Sequence, residues 1–246
     1  PWPEYPRPQM QRASWLNLNG VWQWQPGSAG DPVPTHVLSG SILVPFCMES
    51  AISGVMERHD RAWYQRAFTV PSAWAGQRVL LHFDAVDWEC EPFLNGVSLG
   101  IHRGGYDPFT FDITPYLAGL GPQILAVRVY DPTDAGGSPI VVPLGKQRLD
   151  PGGIWYTACS GIWQTVWLEP VPATSISNIR MAPDIDAQSL ELSVTVAGPA
   201  GGVTVAADAF DGTNRVASAT GVPGTDFSLD IPAPKLWSPA NPFLYD

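Results

Sequence analysis

An alternation of apolar and polar residues with a period of two runs through most of the 246-residue chain and constrains its fold. It is clearest in Val79–Phe83 and in Leu125–Tyr130, where every second side chain is apolar. Successive side chains of a β-strand point to opposite faces, so this period predicts strands with one buried face. Asn95-Gly96 between apolar runs is the preferred pair for a two-residue hairpin turn. The pattern therefore predicts packed antiparallel sheets in an all-β sandwich.

The charge balance excludes several classes of partner. The chain has 13 basic and 23 acidic residues, a net charge of −10, and its basic residues do not cluster. A phosphate backbone or an anionic bilayer would be repelled, so we expect no nucleic acid and no membrane among its partners. The apolar runs are too short to span a bilayer. The compartment stays open between cytoplasmic and secreted or periplasmic.

A change of composition divides the chain after Pro170-Val171-Pro172. Aromatic residues and arginine are frequent before this joint, whereas Ala, Val, Thr, Gly and Asp are frequent after it. Alternation resumes at Leu190–Val196, so the second part is also expected to be a sandwich. We place a domain boundary near residue 172. The second domain has only about seventy residues against roughly a hundred for an immunoglobulin-type sandwich, and we expect it to be cut short at its C-terminus.

Cofactor and metal sites find little support in the sequence. Three cysteines, Cys47, Cys90 and Cys159, are an odd number without CxxC spacing, which favours buried free thiols over disulfides or zinc. The four histidines are scattered, and no glycine-rich phosphate loop occurs. We therefore expect no cofactor and no metal. Eleven tryptophans leave two interpretations open, since this side chain both fills cores and stacks on sugar rings.

Eight sequence blocks, in order, resemble family 2 glycoside hydrolases, the group of β-galactosidases, β-glucuronidases and β-mannosidases. The most specific block contains the Asn95-Gly96 hairpin, the turn at Gly104-Gly105-Tyr106 and the strand that ends at Thr114. The blocks are Leu16–Trp24, Ile42–Phe46, Trp63–Pro71, Leu81–Thr114, Leu125–Asp134, Gly153–Tyr156, Ser160–Glu169 and Leu236–Tyr245.

The resemblance implies a domain layout. Residues 1–172 would be a jelly-roll, galactose-binding-like β-sandwich, and residues 173–246 an incomplete immunoglobulin-like β-sandwich. In the family a (β/α)₈ barrel follows and carries the catalytic residues. This chain would then be the non-catalytic N-terminal part of a retaining exo-β-glycosidase, with its own catalytic barrel domain as its partner.

The glutamates agree with a non-catalytic role. Family members place the catalytic acid/base in an Asn-Glu pair, and none of the seven glutamates here follows an asparagine. Glu89 and Glu91 lie two apart on a predicted strand, with Cα atoms roughly 6.6 Å apart, which overlaps the spacing of a glycosidase pair. We interpret them as solvated or interface carboxylates, so no catalytic residue is expected.

Two loops are predicted to form a rim around a sugar pocket, because in some relatives loops of the first domain reach over the barrel. The residues at these positions are His59, Asp60, Arg61, Trp63, Arg148, Asp150 and Trp155. Asp60, Arg148 and Asp150 would hydrogen-bond sugar hydroxyls, and Trp155 would stack. The alternative is solvated loop residues and a packing tryptophan. Gly152-Gly153 also stands where some β-galactosidases have an acidic residue.

Two other functions remain open. A free-standing carbohydrate-binding module would present its tryptophans as an exposed platform for a sugar. An oligomerisation domain would instead use the sandwiches to build a homo-oligomer. A free module should complete its second sandwich, which the sequence does not predict here.

Overall fold

The computed structural model describes residues 2–119, 121–134 and 142–246, and within them the chain is nearly all β. It divides into two compact units. The first contains Arg12–Pro170 together with the residues before Arg7, and the second contains Arg7–Gln11 and Val171–Asp246. The all-β prediction is confirmed. Among the described residues, no helix is long and apolar enough to cross a membrane.

The first unit is built from two main antiparallel sheets. The strands are β1 Leu16–Asn17, β2 Gly20–Pro26, β3 Gly40–Val44, β4 Arg61–Thr69, β5 Arg78–Phe83, β6 Val86–Asp87, β7 Glu89–Leu94, β8 Val97–Ser98, β9 His102–Arg103, β10 Phe109–Asp112, β11 Pro122–Tyr130, β12 Gln147–Arg148, β13 Tyr156–Thr157, β14 Gly161–Ile162 and β15 Val166–Val171. A seven-stranded sheet has the order β3-β2-β4-β11-β7-β8, with β9 paired to β7, and a four-stranded sheet has the order β1-β15-β5-β10. Two smaller sheets pair β14 with β6 and β12 with β13. Short 3₁₀ turns span Pro8–Met10, Ala51–Ser53, Ser72–Trp74 and Thr114–Tyr116.

The core of the first unit follows the predicted alternation. The inward residues of β5 and β11 are almost fully buried and belong to one cluster with Trp22 and Tyr64. The predicted hairpin is also present, because Asn95 and Gly96 both have positive φ and connect β7 to β8. These residues satisfy the backbone demand of a tight two-residue turn.

The Ile162–Leu168 segment forms two strands although its side chains alternate like those of one. Ile162, Val166 and Leu168 are apolar at even positions, which would suit a single strand, but β14 pairs with β6 and β15 pairs with β1. Trp163 lies at the break, and its indole Nε1 donates to the carbonyl of Gly105 at 2.7 Å. A side-chain bond to a distant loop therefore interrupts the strand, which an alternation pattern does not record.

Strand β15 is buried on both faces, and a charged cluster lies on one of them. The Arg12 Nη1 atom is 2.6 Å from Glu169 Oε1, and His82 Nε2 is 3.2 Å from the same oxygen. The His82 ring stacks on Trp167 with ring centres 4.0 Å apart. The cluster joins the N-terminal segment, β5 and β15 of the first unit.

The second unit contains a three-stranded and a two-stranded antiparallel sheet. Its strands are β16 Ser175–Asp184, β17 Ser189–Ala197, β18 Val205–Asp211, β19 Asn214–Gly221 and β20 Phe227–Asp230. The first sheet has the order β16-β17-β20 and the second pairs β18 with β19. An apolar cavity of about 780 Å³ is lined by residues of both sheets, including Ile179 and Leu192 of the first and Val205 and Ala209 of the second. The incompleteness of this sandwich stays a prediction.

Candidate functional site

The loop before β4 is fixed to the segment that follows β11. The Arg58 guanidinium donates to Thr133 Oγ1 at 3.3 Å and to the carbonyl of Asp131 at 3.2 Å. The Asp131 backbone N–H donates to the Asp60 carbonyl at 2.8 Å. Three bonds therefore hold residues 57–61, here called the first rim loop, against residues 131–134.

The loop between β12 and β14 is fixed to the same segment. The Leu149 N–H donates to Asp134 Oδ1 at 3.1 Å, and Arg148 Nε lies 3.9 Å from Asp134 Oδ2. Residues 146–156 are here called the second rim loop. Both predicted rim loops are thus attached to residues 131–134, although they are far apart in sequence.

The first rim loop exposes part of its polar groups. His59 is half-buried, lies 3.3 Å from Glu57 and meets the Trp24 ring at 5.5 Å between centres. The Asp60 carboxylate is exposed and forms an ion pair with Arg58 at 2.6 Å. Both side chains are reachable by a solute, but each already has a partner within its own loop.

Arg61 and Trp63, two of the predicted rim residues, make packing contacts with aromatic rings. The Arg61 guanidinium lies 3.7 Å above the Tyr130 ring. Trp63 is only 1% exposed and packs against Phe93, with ring centres 5.8 Å apart. Its position is that of a packing tryptophan, so it can support the first rim loop but offers no face for a sugar to stack on.

The second rim loop carries a partly exposed tryptophan with an arginine over one face of its ring. The Arg148 guanidinium lies 3.8 Å above the Trp155 ring, and Trp155 is 39% exposed. The parallel pairing of β12 with β13 brings the two ends of the loop together. Asp150 lies at the exposed turn between them. This arrangement offers a carboxylate, a guanidinium and an aromatic face on one loop.

A buried polar cluster lies beneath the loops. The Ser160 hydroxyl donates to Asp131 Oδ2 at 2.6 Å, while the Ser160 N–H donates to Glu49 Oε2 at 2.9 Å. Thr133 donates its N–H to Asp131 Oδ1 at 2.7 Å. Burial raises the pKa of Glu49 above its ordinary value. Losing one of these donors would leave a buried carboxylate without one of its hydrogen-bond partners, which would lower the stability of the folded state.

Gln147 fixes the base of the second rim loop next to this cluster. Its side-chain Nε2 donates to Asp87 Oδ2 at 2.9 Å and to the Tyr106 hydroxyl at 3.1 Å, and its side-chain Oε1 accepts from the N–H of Cys159, the neighbour of Ser160, at 2.6 Å. Burial raises the pKa of Asp87 from 3.8 to about 7. The base of the second rim loop is therefore set by hydrogen bonds to the interior.

The carboxylates of the first unit act as anchors in this geometry. Asp87 and Asp131 are 3% and 2% exposed, so a sugar cannot reach them. Glu89 forms an ion pair with Arg103 at 2.8 Å, and Glu91 pairs with Arg128 across β7 and β11. In the described part of the chain, no group of three or more His, Cys, Asp or Glu side chains could hold a metal ion.

Sequence reasoning did not identify the residues that fix the loops. They are Glu49, Arg58, Asp87, Asp131, Asp134, Gln147 and Ser160. Several stand inside the quoted blocks, but they come from separate segments. Only the folded chain brings them into contact, so no spacing signal could have identified them.

Comparison with protein-family models gives two matches that together cover almost the whole chain. Residues 6–170 match the model described as "Glycosyl hydrolases family 2, sugar binding domain", and residues 174–246 match "Glycosyl hydrolases family 2".

Known proteins with similar sequences are longer than this chain. A β-galactosidase of Bacteroides ovatus is 30% identical over 74% of the chain, which covers 22% of that protein. A putative β-glucuronidase of Formosa agariphila is 27% identical over 95% of the chain and 25% of its own length. The chain thus spans about a quarter of the length of these relatives.

A solved structure with a similar fold covers nearly the whole chain. The β-glucuronidase of Bifidobacterium dentium in complex with coumarin-3-O-glucuronide gives a TM-score of 0.72 at 26% identity. The match covers 98% of this chain and 45% of that one.

Proposed function

We propose, from the premise that this chain belongs to glycoside hydrolase family 2, that it forms a non-catalytic front part of a retaining exo-β-glycosidase. A catalytic barrel domain outside these 246 residues would hydrolyse the O-glycosyl bond. The first sandwich would support that barrel and contribute a rim to its sugar pocket. The similar proteins are named β-galactosidase and β-glucuronidase, and both sugar classes stay open here.

The joint attachment of the two rim loops to residues 131–134 carries this proposal. Loops that must contact a ligand need a fixed base, because a displacement of about 1 Å in a positioning group can cost a large factor in rate. Here Arg58, Asp134 and Gln147 supply that base. Asp150 and Trp155 are exposed on the second rim loop. Asp150 would hydrogen-bond sugar hydroxyls, and Trp155 would stack on a sugar ring.

The test uses the polypeptide that contains this chain together with its catalytic barrel. Asp150→Ala and Trp155→Ala should each raise KM for the preferred nitrophenyl β-glycoside about tenfold, which corresponds to one lost contact of roughly 1.4 kcal/mol. The matched control is Ile154→Ala, since Ile154 is an exposed neighbour on the same loop. Equal KM values in all three variants would contradict a sugar-contacting rim.

A further inference from the structure

The structure brings two thiols together that the sequence separates by more than a hundred residues. Cys47 and Cys159 hydrogen-bond to each other through their side chains. Their segments run side by side, because the Met48 N–H donates to the Ser160 carbonyl at 3.3 Å. The three cysteines are free thiols, as predicted, but only Cys90 is also buried, because Cys47 and Cys159 are partly exposed.

Both cysteines lie on segments that are held next to each other. The Met48–Ser160 backbone bond joins the residues that directly follow Cys47 and Cys159, and the two thiols are within hydrogen-bonding reach. A disulfide needs a Cα separation of roughly 4.4–6.8 Å, so thiols that already contact each other are candidates for one. Cys47 is fixed by bonds from the Ser50 N–H and hydroxyl to its carbonyl, at 3.0 and 2.8 Å. Cys159 is fixed by its bond to Gln147.

We propose that Cys47 and Cys159 are a site of reversible disulfide formation that covalently joins the base of the second rim loop to the segment after β3. The cross-link would connect two parts of the buried polar cluster, since Glu49 follows Cys47 and Ser160 follows Cys159. It is independent of the sugar specificity of the parent enzyme.

The chemistry balances with a small-molecule disulfide as oxidant. The Cys47 thiolate attacks one sulfur of the oxidant, forms a mixed disulfide and releases the first thiolate, which takes up a proton. The Cys159 thiol then loses its proton to solvent and attacks the Cys47 sulfur, which releases the second thiol. Two protein thiols are oxidised to one disulfide, and one oxidant disulfide is reduced to two thiols.

The order of attack follows from the two environments. The hydrogen bond from Cys159 lowers the pKa of Cys47, whereas that same interaction and burial raise the pKa of Cys159. The thiolate is the nucleophile in exchange, so Cys47 reacts first. Cys90 is fully buried, and burial raises its pKa well above the ordinary value, so it should stay reduced.

The test is oxidation of the folded 246-residue chain with oxidised glutathione, followed by digestion without reductant and mass spectrometry. We expect one peptide pair joined through Cys47 and Cys159, and a fall in free thiols, measured after denaturation, from three to one. The oxidised chain should also melt several degrees higher, because the cross-link closes a long loop.

Single variants provide the control. In Cys47→Ser and Cys159→Ser the remaining partner cannot form the cross-link, so neither variant should show the rise in melting temperature. Three remaining thiols in the wild-type chain, stable glutathione adducts on both cysteines, or cross-links between two chains would each overturn the proposal.

Discussion

At the scale of single residues, two buried carboxyl groups of the first unit respond to pH in opposite directions. Burial alone would raise the pKa of Glu169, but hydrogen bonds and charge from His82 and Arg12 lower it from 4.5 to about 2. Asp87 accepts one bond from Gln147, and burial raises its pKa to about 7. The first group therefore favours the folded state when ionised, and the second favours it when protonated.

Glu169→Gln should lower the free energy of unfolding at pH 7 by about 1–3 kcal/mol, because it removes a buried charged partner of Arg12. The stability that Glu169 contributes is present above its unfolded pKa of 4.5 and is lost as the pH falls towards 2. Urea denaturation at pH 7 and pH 3 measures both. Glu57→Gln, an exposed control, should change stability by less than about 0.5 kcal/mol.

Asp87→Asn should remove a pH dependence of opposite sign. A group with a raised folded pKa contributes stability that is fully present below its unfolded pKa of 3.8 and is lost as the pH rises through about 7. The variant cannot ionise, so between pH 4 and 8 its denaturation midpoint should fall less than that of the wild type. Parallel curves for the two proteins would show that Asp87 is not the titrating group. Asp186→Asn, on the exposed surface, serves as the control.

At the scale of elements, the sequence predicts which face of a strand is buried, but it does not predict which distant segments contact each other. Alternation predicted the buried sides of β5 and β11, because every second side chain of a strand points to the same sheet face and is apolar when that face is buried. The break between β14 and β15 depends on Trp163 reaching Gly105, and the meeting of the rim loops depends on Arg58 and Asp134. Such contacts join segments that have no fixed spacing in sequence, so periodicity did not predict them.

The close approach of β14 to β4 gives a test at this scale. Gly161 has φ +93, and a Cβ there would lie 1.9 Å from the Tyr64 hydroxyl. Gly161→Ala should therefore cost about 2 kcal/mol more than Gly54→Ala, because forcing an extra carbon into a packed site typically costs about 1–3 kcal/mol. Gly54 also has a positive φ, +84, but no atom within 4 Å of its Cβ position, so the control isolates the steric clash from the backbone strain of about 1–2 kcal/mol. Equal losses in thermal or urea denaturation would contradict this packing.

At the scale of the whole molecule, the tryptophans bear on the binding-module alternative. Five of the eleven are buried: Trp22, Trp24, Trp63, Trp74 and Trp167. The exposed ones among the described residues are Trp2, Trp155 and Trp237, which stand on separate segments of the chain. The free-standing module considered above would present its tryptophans together as an exposed platform. Exposed tryptophans on separate segments do not match that expectation, so this distribution speaks against the binding-module alternative.

Calorimetry on the isolated chain should therefore detect no ligand tighter than about millimolar among galactose, glucose, glucuronate and mannose. A single rim loop with one exposed tryptophan supplies too few contacts for more. A micromolar ligand whose binding is lost in Trp155→Ala would favour the binding-module alternative instead.

The central claim is that these two sandwiches do not carry the catalytic residues, and hydrolysis by the purified chain tests it most directly. The account predicts no turnover of nitrophenyl β-galactoside or β-glucuronide above the buffer rate at any pH from 4 to 8. Glu89 and Glu91, the two glutamates with glycosidase-like spacing, are each paired with an arginine, and Asp87 and Asp131 are buried. Turnover that survives repurification and disappears in Glu89→Gln would contradict the account.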